Sequence, residues 1–399
     1  MGSLFSRIGQ PPVIGEITAG ILLGPSLFGW LWPGASNFIF PKESLGILQL
    51  ISEIGVCVFM FVVGLELDPA HLRQKARVAV VISNAGIVVP FLLGAAASWL
   101  LHPVFAAPGT TFTTFALFMG TAMSITAFPV LVRILRDRNM TKTPLGSLAI
   151  ACAAVGDATA WAMLAVTVAI ARASGMSATV FNLGLIVVFV AVMWLVVRLL
   201  LPRWLGVDGL DTAPGRSVVA AALIFMTVSA LLTEVMGIHA LFGAFLAGVI
   251  MPPGKAFRDG LTLQLENFSS AFLLPLFFAF SGLRTHLGLL NDVTSWLVCA
   301  GIIAVAMLGK LGGSMMAARF VGMGWNESFV LGALMNTRGL VELIALNIGY
   351  DLGILSPQIF TIMVLMALTT TFMTGPLLTL GAGSKRGLLG NEPNPDAVN

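Results

Sequence analysis

Residues 144–171 form an apolar run holding a single charge, Asp157, and eleven comparable apolar segments flank it along the chain. About 20 residues at about 1.5 Å rise cross the hydrocarbon of a bilayer, so the run reads as a membrane helix with a carboxylate near its middle. An ionised carboxylate at that depth costs at least about 2.5 kcal/mol, and acids kept there are most often proton or cation sites with a partner.

Charged residues make up 10% of the 399 and hydrophobic ones 57%, with mean hydropathy +0.97. Soluble domains carry about 25% charged residues, so the chain reads as an all-α polytopic membrane protein. Its apolar segments run approximately 11–29, 45–65, 78–101, 112–132, 144–171, 178–200, 217–235, 238–251, 263–282, 293–318, 328–347 and 356–380. The 43 Gly and 20 Pro suit close helix packing and interrupted helices. Cys57, Cys152 and Cys299 lie inside apolar segments without metal-ligand spacing and read as packing residues. The pI near 9 does not imply nucleic acid, because the basic residues are scattered through loops.

Those loops alternate in charge. Arg7, Arg73, Lys75, Arg77, Arg133, Arg136, Arg138, Lys142, Arg198, Arg203, Arg216, Lys255, Arg258, Arg319, Lys385 and Arg386 fall on one side. Only Lys42, Arg172 and Arg284 fall on the other. The positive-inside rule makes the first side, with both ends of the chain, cytoplasmic.

The halves repeat weakly. Gly15-x-x-x-Ala19-Gly20-x-x-x-x-Pro25 recurs as Gly243-x-x-x-Ala247-Gly248-x-x-x-x-Pro253, and Phe61-Val62-Val63-Gly64-Leu65 resembles Ala279-Phe280-Ser281-Gly282-Leu283. Inverted repeats are a hallmark of secondary transporters. The second half has segment 217–235 before its Gly243 motif, whereas the first half has no room for an equivalent, so a first helix is expected to be missing.

Two segments look interrupted, at Ser124-Ile125-Thr126-Ala127-Phe128-Pro129 and at Asn336-Thr337-Arg338-Gly339. Pro129 disfavours helix at Phe128 and frees carbonyls nearby. Such breaks in corresponding members of two halves point to a transporter site, where helix ends and bare carbonyls meet a cation. An ordinary proline kink, with Ser124 and Thr126 bonded back to the preceding turn, is the plainer reading. Asp157 has two candidate basic partners, Lys310 and Arg338. Arg338 stays charged and shares a helix face with Glu342, four residues on, which suits an intrahelical pair. Glu16 and Glu53 also lie within apolar segments, while Glu234 and Glu266 lie nearer segment ends. His239 reads as a packing histidine. No phosphate loop, paired metal-spaced His or Ser-His-Asp set stands out, so no enzyme or cofactor is expected. Energy would come from an ion gradient, worth about 2.3 kcal/mol per charge per 100 mV.

Four stretches carry a family resemblance: Gly9 to Pro25-Ser26; Phe61-Val62-Val63-Gly64-Leu65-Glu66-Leu67-Asp68; Ser124 to Leu131; and Asn336-Thr337-Arg338-Gly339-Leu340-Val341-Glu342-Leu343. The chain resembles the monovalent cation:proton antiporter-2 family, within the sodium/proton exchanger superfamily. That resemblance implies an inverted-repeat fold with discontinuous crossed helices, thirteen in full and about twelve here. It implies a transmembrane exchanger domain over 1–383, with scaffold at roughly 8–67 and 217–283, core at roughly 78–171 and 293–380, and linker helix 178–200. A polar cytoplasmic tail covers 384–399. A homodimer in a lipid bilayer, the bacterial inner (plasma) membrane, is implied, with no nucleic acid. The essential acid maps to Asp157, the tenth-helix lysine to Lys310, and the unwound residues to Ser124 and Thr126.

Relatives commonly carry Asn, Gln or Asp before the acid; Gly156 stands there. The expected function is exchange of K⁺ or Na⁺ for H⁺ by alternating access, with cation and proton competing for Asp157. Ser124 and Thr126 would add neutral oxygens, Lys310 would pair with Asp157, Arg338 with Glu342 would brace the crossing, and Pro129 and Gly339 would break the helices. A gated potassium-efflux pathway and a non-transporting membrane sensor are the other readings.

Overall fold

Long apolar runs punctuated by Gly and Pro fold as helices throughout the computed structural model, which describes residues 1–7, 10–66, 76–141, 143–173, 176–205, 214–237 and 239–382. Gly9, Leu67, Asp68, Arg73, Lys75, Lys142, Lys385, Arg386 and the tail 384–399 lie outside the described residues. The helices begin with α1 (Gly2–Arg7), α2 (Pro12–Leu23), α3 (Phe28–Leu31), α4 (Pro33–Ile39), α5 (Lys42–Glu66), α6 (Ala76–Phe105) and α7 (Phe112–Ser124). They continue with α8 (Phe128–Asp137), α9 (Pro144–Arg172), α10 (Met176–Val192), α11 (Arg198–Trp204), α12 (Arg216–Val235), α13 (Ala240–Val249) and α14 (Lys255–Phe268). The last are α15 (Leu274–Leu283), α16 (Val293–Met307), α17 (Gly313–Phe320), α18 (Trp325–Met335), α19 (Leu340–Asp351) and α20 (Pro357–Ala382). Single π-helical turns join α10 to α11, α14 to α15 and α16 to α17.

Among the described residues ten helical stretches are long and apolar enough to cross a membrane, and α18 with α19, bent by 43° at their break, raise this to as many as eleven. The remaining expected segment, 238–251, is the short apolar helix α13 of 10 residues. Polar side chains start the helices where the sequence supplies them. Thr111 accepts the Thr114 amide at 3.2 Å ahead of α7, and Asp292 accepts the Ser295 amide at 3.1 Å ahead of α16.

The chain divides into two compact units, one of Met1–Trp30, Leu72–Met163 and Ser281–Asn399, the other of Leu31–His71 and Leu164–Phe280. In the first unit, Leu131, Leu135, Ala149, Cys152, Ala153, Leu334 and Met335 are buried together where α8, α9 and α18 meet. A Cβ on Gly282 would lie 2.5 Å from the Gly20 backbone, so α2 and the end of α15 touch main chain to main chain. In the second unit the same device recurs, because a Cβ on Gly64 would lie 3.0 Å from Gly248 Cα. Gly20 and Gly248 hold one place in the repeated motif, and Gly64 and Gly282 the other. Each unit therefore joins one of each kind, as a fold built from two related halves requires.

Arg258 ties off the second unit. Its guanidinium donates to the carbonyls of Leu65 (2.8 Å), Pro252 (3.0 Å), Val249 (3.0 Å) and Met251 (2.6 Å), gathering the orphan C-terminal groups of α5 and α13. Glu234 pairs with Arg172 at 3.0 Å and accepts the Ala240 amide at 2.9 Å. Glu53, by contrast, stays exposed and accepts from Gln49 at 2.8 Å.

Candidate functional site

In the first unit α7 stops at Ser124 and α8 restarts at Phe128; α18 stops at Met335 and α19 restarts at Leu340. The two breaks touch. The Ala127 amide donates to Thr337 O at 3.0 Å, and Thr126 Oγ1 donates to Met335 O at 3.2 Å. Pro129 sits in the first turn of α8, where its missing amide removes nothing from the helix. The break itself is thus Ile125-Thr126-Ala127. Gly339 caps α19 at φ 157°, a conformation that L side chains rarely adopt, and a Cβ there would crowd Val130 Cγ2 at 3.0 Å.

Interrupting a helix frees the carbonyls behind the break and the amides ahead of it. Two buried cations take those carbonyls. Arg338 donates to Ala122 O at 3.2 Å and Met123 O at 2.7 Å, and Lys310 donates to Ser124 O. The ammonium also donates to Gly86 O at 2.8 Å. That carbonyl is available because its helical donor would be residue 90, a proline inside α6. A negative helix end thus meets two basic side chains, Arg338 and Lys310, both within 1% of full burial.

Ahead of the break the amide of Phe128 is the backbone donor directed at Asp157, without closing to a full hydrogen bond. Asp157 lies on α9 at 1% exposure, and neither carboxylate oxygen holds a hydrogen bond. Its principal charged neighbour is Lys310. The direct Asp157–Lys310 pair expected from sequence does not form. The ammonium instead sits on the carbonyls of Ser124 and Gly86, and acts on Asp157 through space. The physical reason is a pair of unpaired carbonyls, Ser124 O freed by the break and Gly86 O freed by Pro90 in α6.

Arg338 and Glu342 do pair, at 3.2 Å with both side chains fully buried. Glu342 stands in the first turn of α19, where the helix end is positive. Thr371 on α20 clamps the same break, accepting the Arg338 amide at 3.0 Å and donating to Arg338 O at 2.7 Å. The Ser124 hydroxyl donates back to Gly120 O at 2.7 Å and across to Ile87 O at 3.0 Å, the back-bonded arrangement of a plain kink. The crossing therefore brings together Ser124, Thr126, Pro129, Arg338, Gly339 and Glu342, with Lys310 and Asp157 beside it.

Sequence reasoning missed Gly86 and Thr371. Pro90 was the available signal for Gly86, since a proline exposes the carbonyl four residues earlier. Nothing in the sequence marked Thr371. Among the described residues no group of three or more His, Cys, Asp or Glu could hold a metal.

The model of the sodium/hydrogen exchanger, transmembrane family matches residues 1–380. The chain is 46% identical over 379 residues to the Na(+)/H(+) antiporter NhaS4 of Synechocystis, covering 95% of this chain and 92% of that one. It is 33% identical over 385 residues to the K(+)/H(+) antiporter 1 of Saccharomyces cerevisiae, covering 94% of this chain but 44% of the yeast protein. The solved structure of the sodium proton antiporter MjNhaP1 from Methanocaldococcus jannaschii superposes with TM-score 0.66 at 16% identity, over 98% and 96% of the two chains, which shows a shared fold. A family match over nearly the whole chain, joined by a relative of nearly its own length, means that this multi-pass membrane protein belongs to the sodium/hydrogen exchanger family.

Proposed function

We propose that the protein exchanges a monovalent cation, Na⁺ or K⁺, for H⁺ by alternating access, with Asp157 as the shared binding group. The observation that carries this reading is a fully buried carboxylate without a hydrogen bond, set between a broken helix and a lysine. A cation and a proton neutralise such a group equally well, so binding of one excludes the other. That competition is the coupling. Arg338, committed to α7 carbonyls, serves as a fixed positive charge rather than as a proton carrier, and Lys310 holds the carbonyls of Ser124 and Gly86. With one carboxylate at the centre the exchange is one for one and electroneutral. Hydroxyl oxygens of Ser124 and Thr126 retain lone pairs for the cation. The family members named for Na⁺/H⁺ and for K⁺/H⁺ exchange support the class and leave either ion as the cargo.

The loops rich in basic residues face the cytoplasm, and the protein works as a homodimer in the bacterial inner membrane. The test of the mechanism uses liposomes with a pH-sensitive dye inside. Added Na⁺ or K⁺ should alkalinise the lumen with wild type, and Asp157→Asn should abolish the signal. Undiminished flux through the variant would sink the mechanism and favour a gated efflux pathway.

A further inference from the structure

Ser83 lies on α6 with no exposure, and its hydroxyl has no hydrogen-bond partner. Among the described residues Ser83 shares its lack of a partner with the buried Ser269, Ser314 and Ser328, whereas a helical hydroxyl ordinarily bonds back to the carbonyl four residues earlier. Ser98 on the same helix does so, to Gly94 O at 2.8 Å, as do Ser52, Thr121, Thr159 and Thr370 on other helices. Ser83 points elsewhere. Its Oγ lies 3.1 Å from the place that a Cβ on Gly156 would occupy, beside Asp157 in the chain. Three residues along, on the same face of α6, Gly86 O holds the Lys310 ammonium at 2.8 Å. Helix α6 thus presents a free hydroxyl to position 156, which precedes the acid in sequence, and a carbonyl to Lys310.

A buried hydroxyl without a partner carries a desolvation cost that folding alone gives no reason to keep. Glycine at 156 leaves the room into which that oxygen projects. We infer that Ser83 Oγ is a ligand of the transported alkali cation, taking the place of the side chain that position 156 lacks. The inference rests on Asp157 being the exchange site. It gives the cation a hydroxyl not engaged as a donor elsewhere, unlike those of Ser124 and Thr126.

The test titrates NaCl and KCl against the full chain in dye-loaded liposomes, and in detergent by cation-dependent shift of Tm. Ser83→Ala should raise the KM for the cation about tenfold, the effect of losing one hydrogen-bond-strength contact to a charge. Its Tm without cation should be unchanged or higher, because no native hydrogen bond is removed. Ser83→Cys keeps the volume but replaces a hard oxygen with a soft sulfur, and should raise the KM likewise. Gly156→Ser added to Ser83→Ala should restore much of the affinity, by returning a hydroxyl from the other side. An unchanged KM in both single variants overturns the assignment, and so does a fall in Tm without cation, which would mark a structural role. Asp157→Asn run in parallel separates the two ideas. Loss of flux there with an unchanged KM in Ser83→Ala refutes only the serine, whereas persisting flux in Asp157→Asn refutes the site itself.

Discussion

Arg338 carries more structural weight than any other residue at the crossing. Its guanidinium donates to two carbonyls at the end of α7, its main chain is clamped by Thr371, and its charge balances Glu342. Removing one partner of a buried ion pair leaves an uncompensated charge, a loss of about 3–5 kcal/mol. Arg338→Met should therefore lower the Tm in detergent sharply. Adding Glu342→Leu should recover only part of the loss, because the carbonyl of Met123 stays unsatisfied at about 1–3 kcal/mol. Wild-type melting of the single variant would show that water or lysine replaces the guanidinium. Lys310 differs in kind: it holds only carbonyls and no carboxylate, so its charge is turned outward onto Asp157.

At the scale of elements, local chemistry decides where helices begin, and the caps outside the membrane can be titrated. Asp292 precedes α16 and accepts from both the hydroxyl and the amide of Ser295. Those hydrogen bonds, the hydroxyl one first, hold its carboxyl below the usual carboxylate range. A carboxyl lowered on folding stabilises above its unfolded value, near about 3.9, and that contribution disappears as pH falls through the folded value. Asp292→Asn should accordingly melt slightly lower than wild type at neutral pH, and the two curves should converge in strong acid. A gap independent of pH would remove the charge from the explanation. The same logic of unpaired backbone groups built the site. Breaking one helix between Ser124 and Phe128 released carbonyls to two cations and an amide to one acid.

Across the whole molecule, the related halves meet through glycine. Gly20 opposes Gly282 in one unit and Gly64 opposes Gly248 in the other, and a Cβ on Gly248 would overlap the Phe61 carbonyl. Backbone cannot rotate away as a side chain can, so Gly248→Ala should cost about 1–3 kcal/mol or more through overpacking. Gly301→Ala, which meets nothing within 4 Å, should be nearly neutral. Equal melting temperatures for the two variants would mean that the helix crossing yields easily. Exchange by Gly248→Ala should fall together with its stability.

Much of this was legible in the chain. Apolar length marked ten to eleven crossings among the described residues, because a hydrocarbon slab sets how many residues a crossing takes, and left the 10-residue α13 short of one. The helix breaks before Pro129 and at Gly339 and the pairing of Arg338 with Glu342 follow local sequence, although Pro129 itself lies in the first turn of α8. The partners of Lys310 do not. Sequence supplied Lys310 with one obvious carboxylate, whereas the fold offered it carbonyls at Gly86 and Ser124, 224 and 186 residues away. Ser83 looked no different from Ser98 until their hydroxyl directions could be compared. Periodicity, hydropathy and helix-breaking residues act over one or two turns and are written in sequence. Which freed carbonyl a buried cation reaches is decided by helices brought together from opposite ends of the chain.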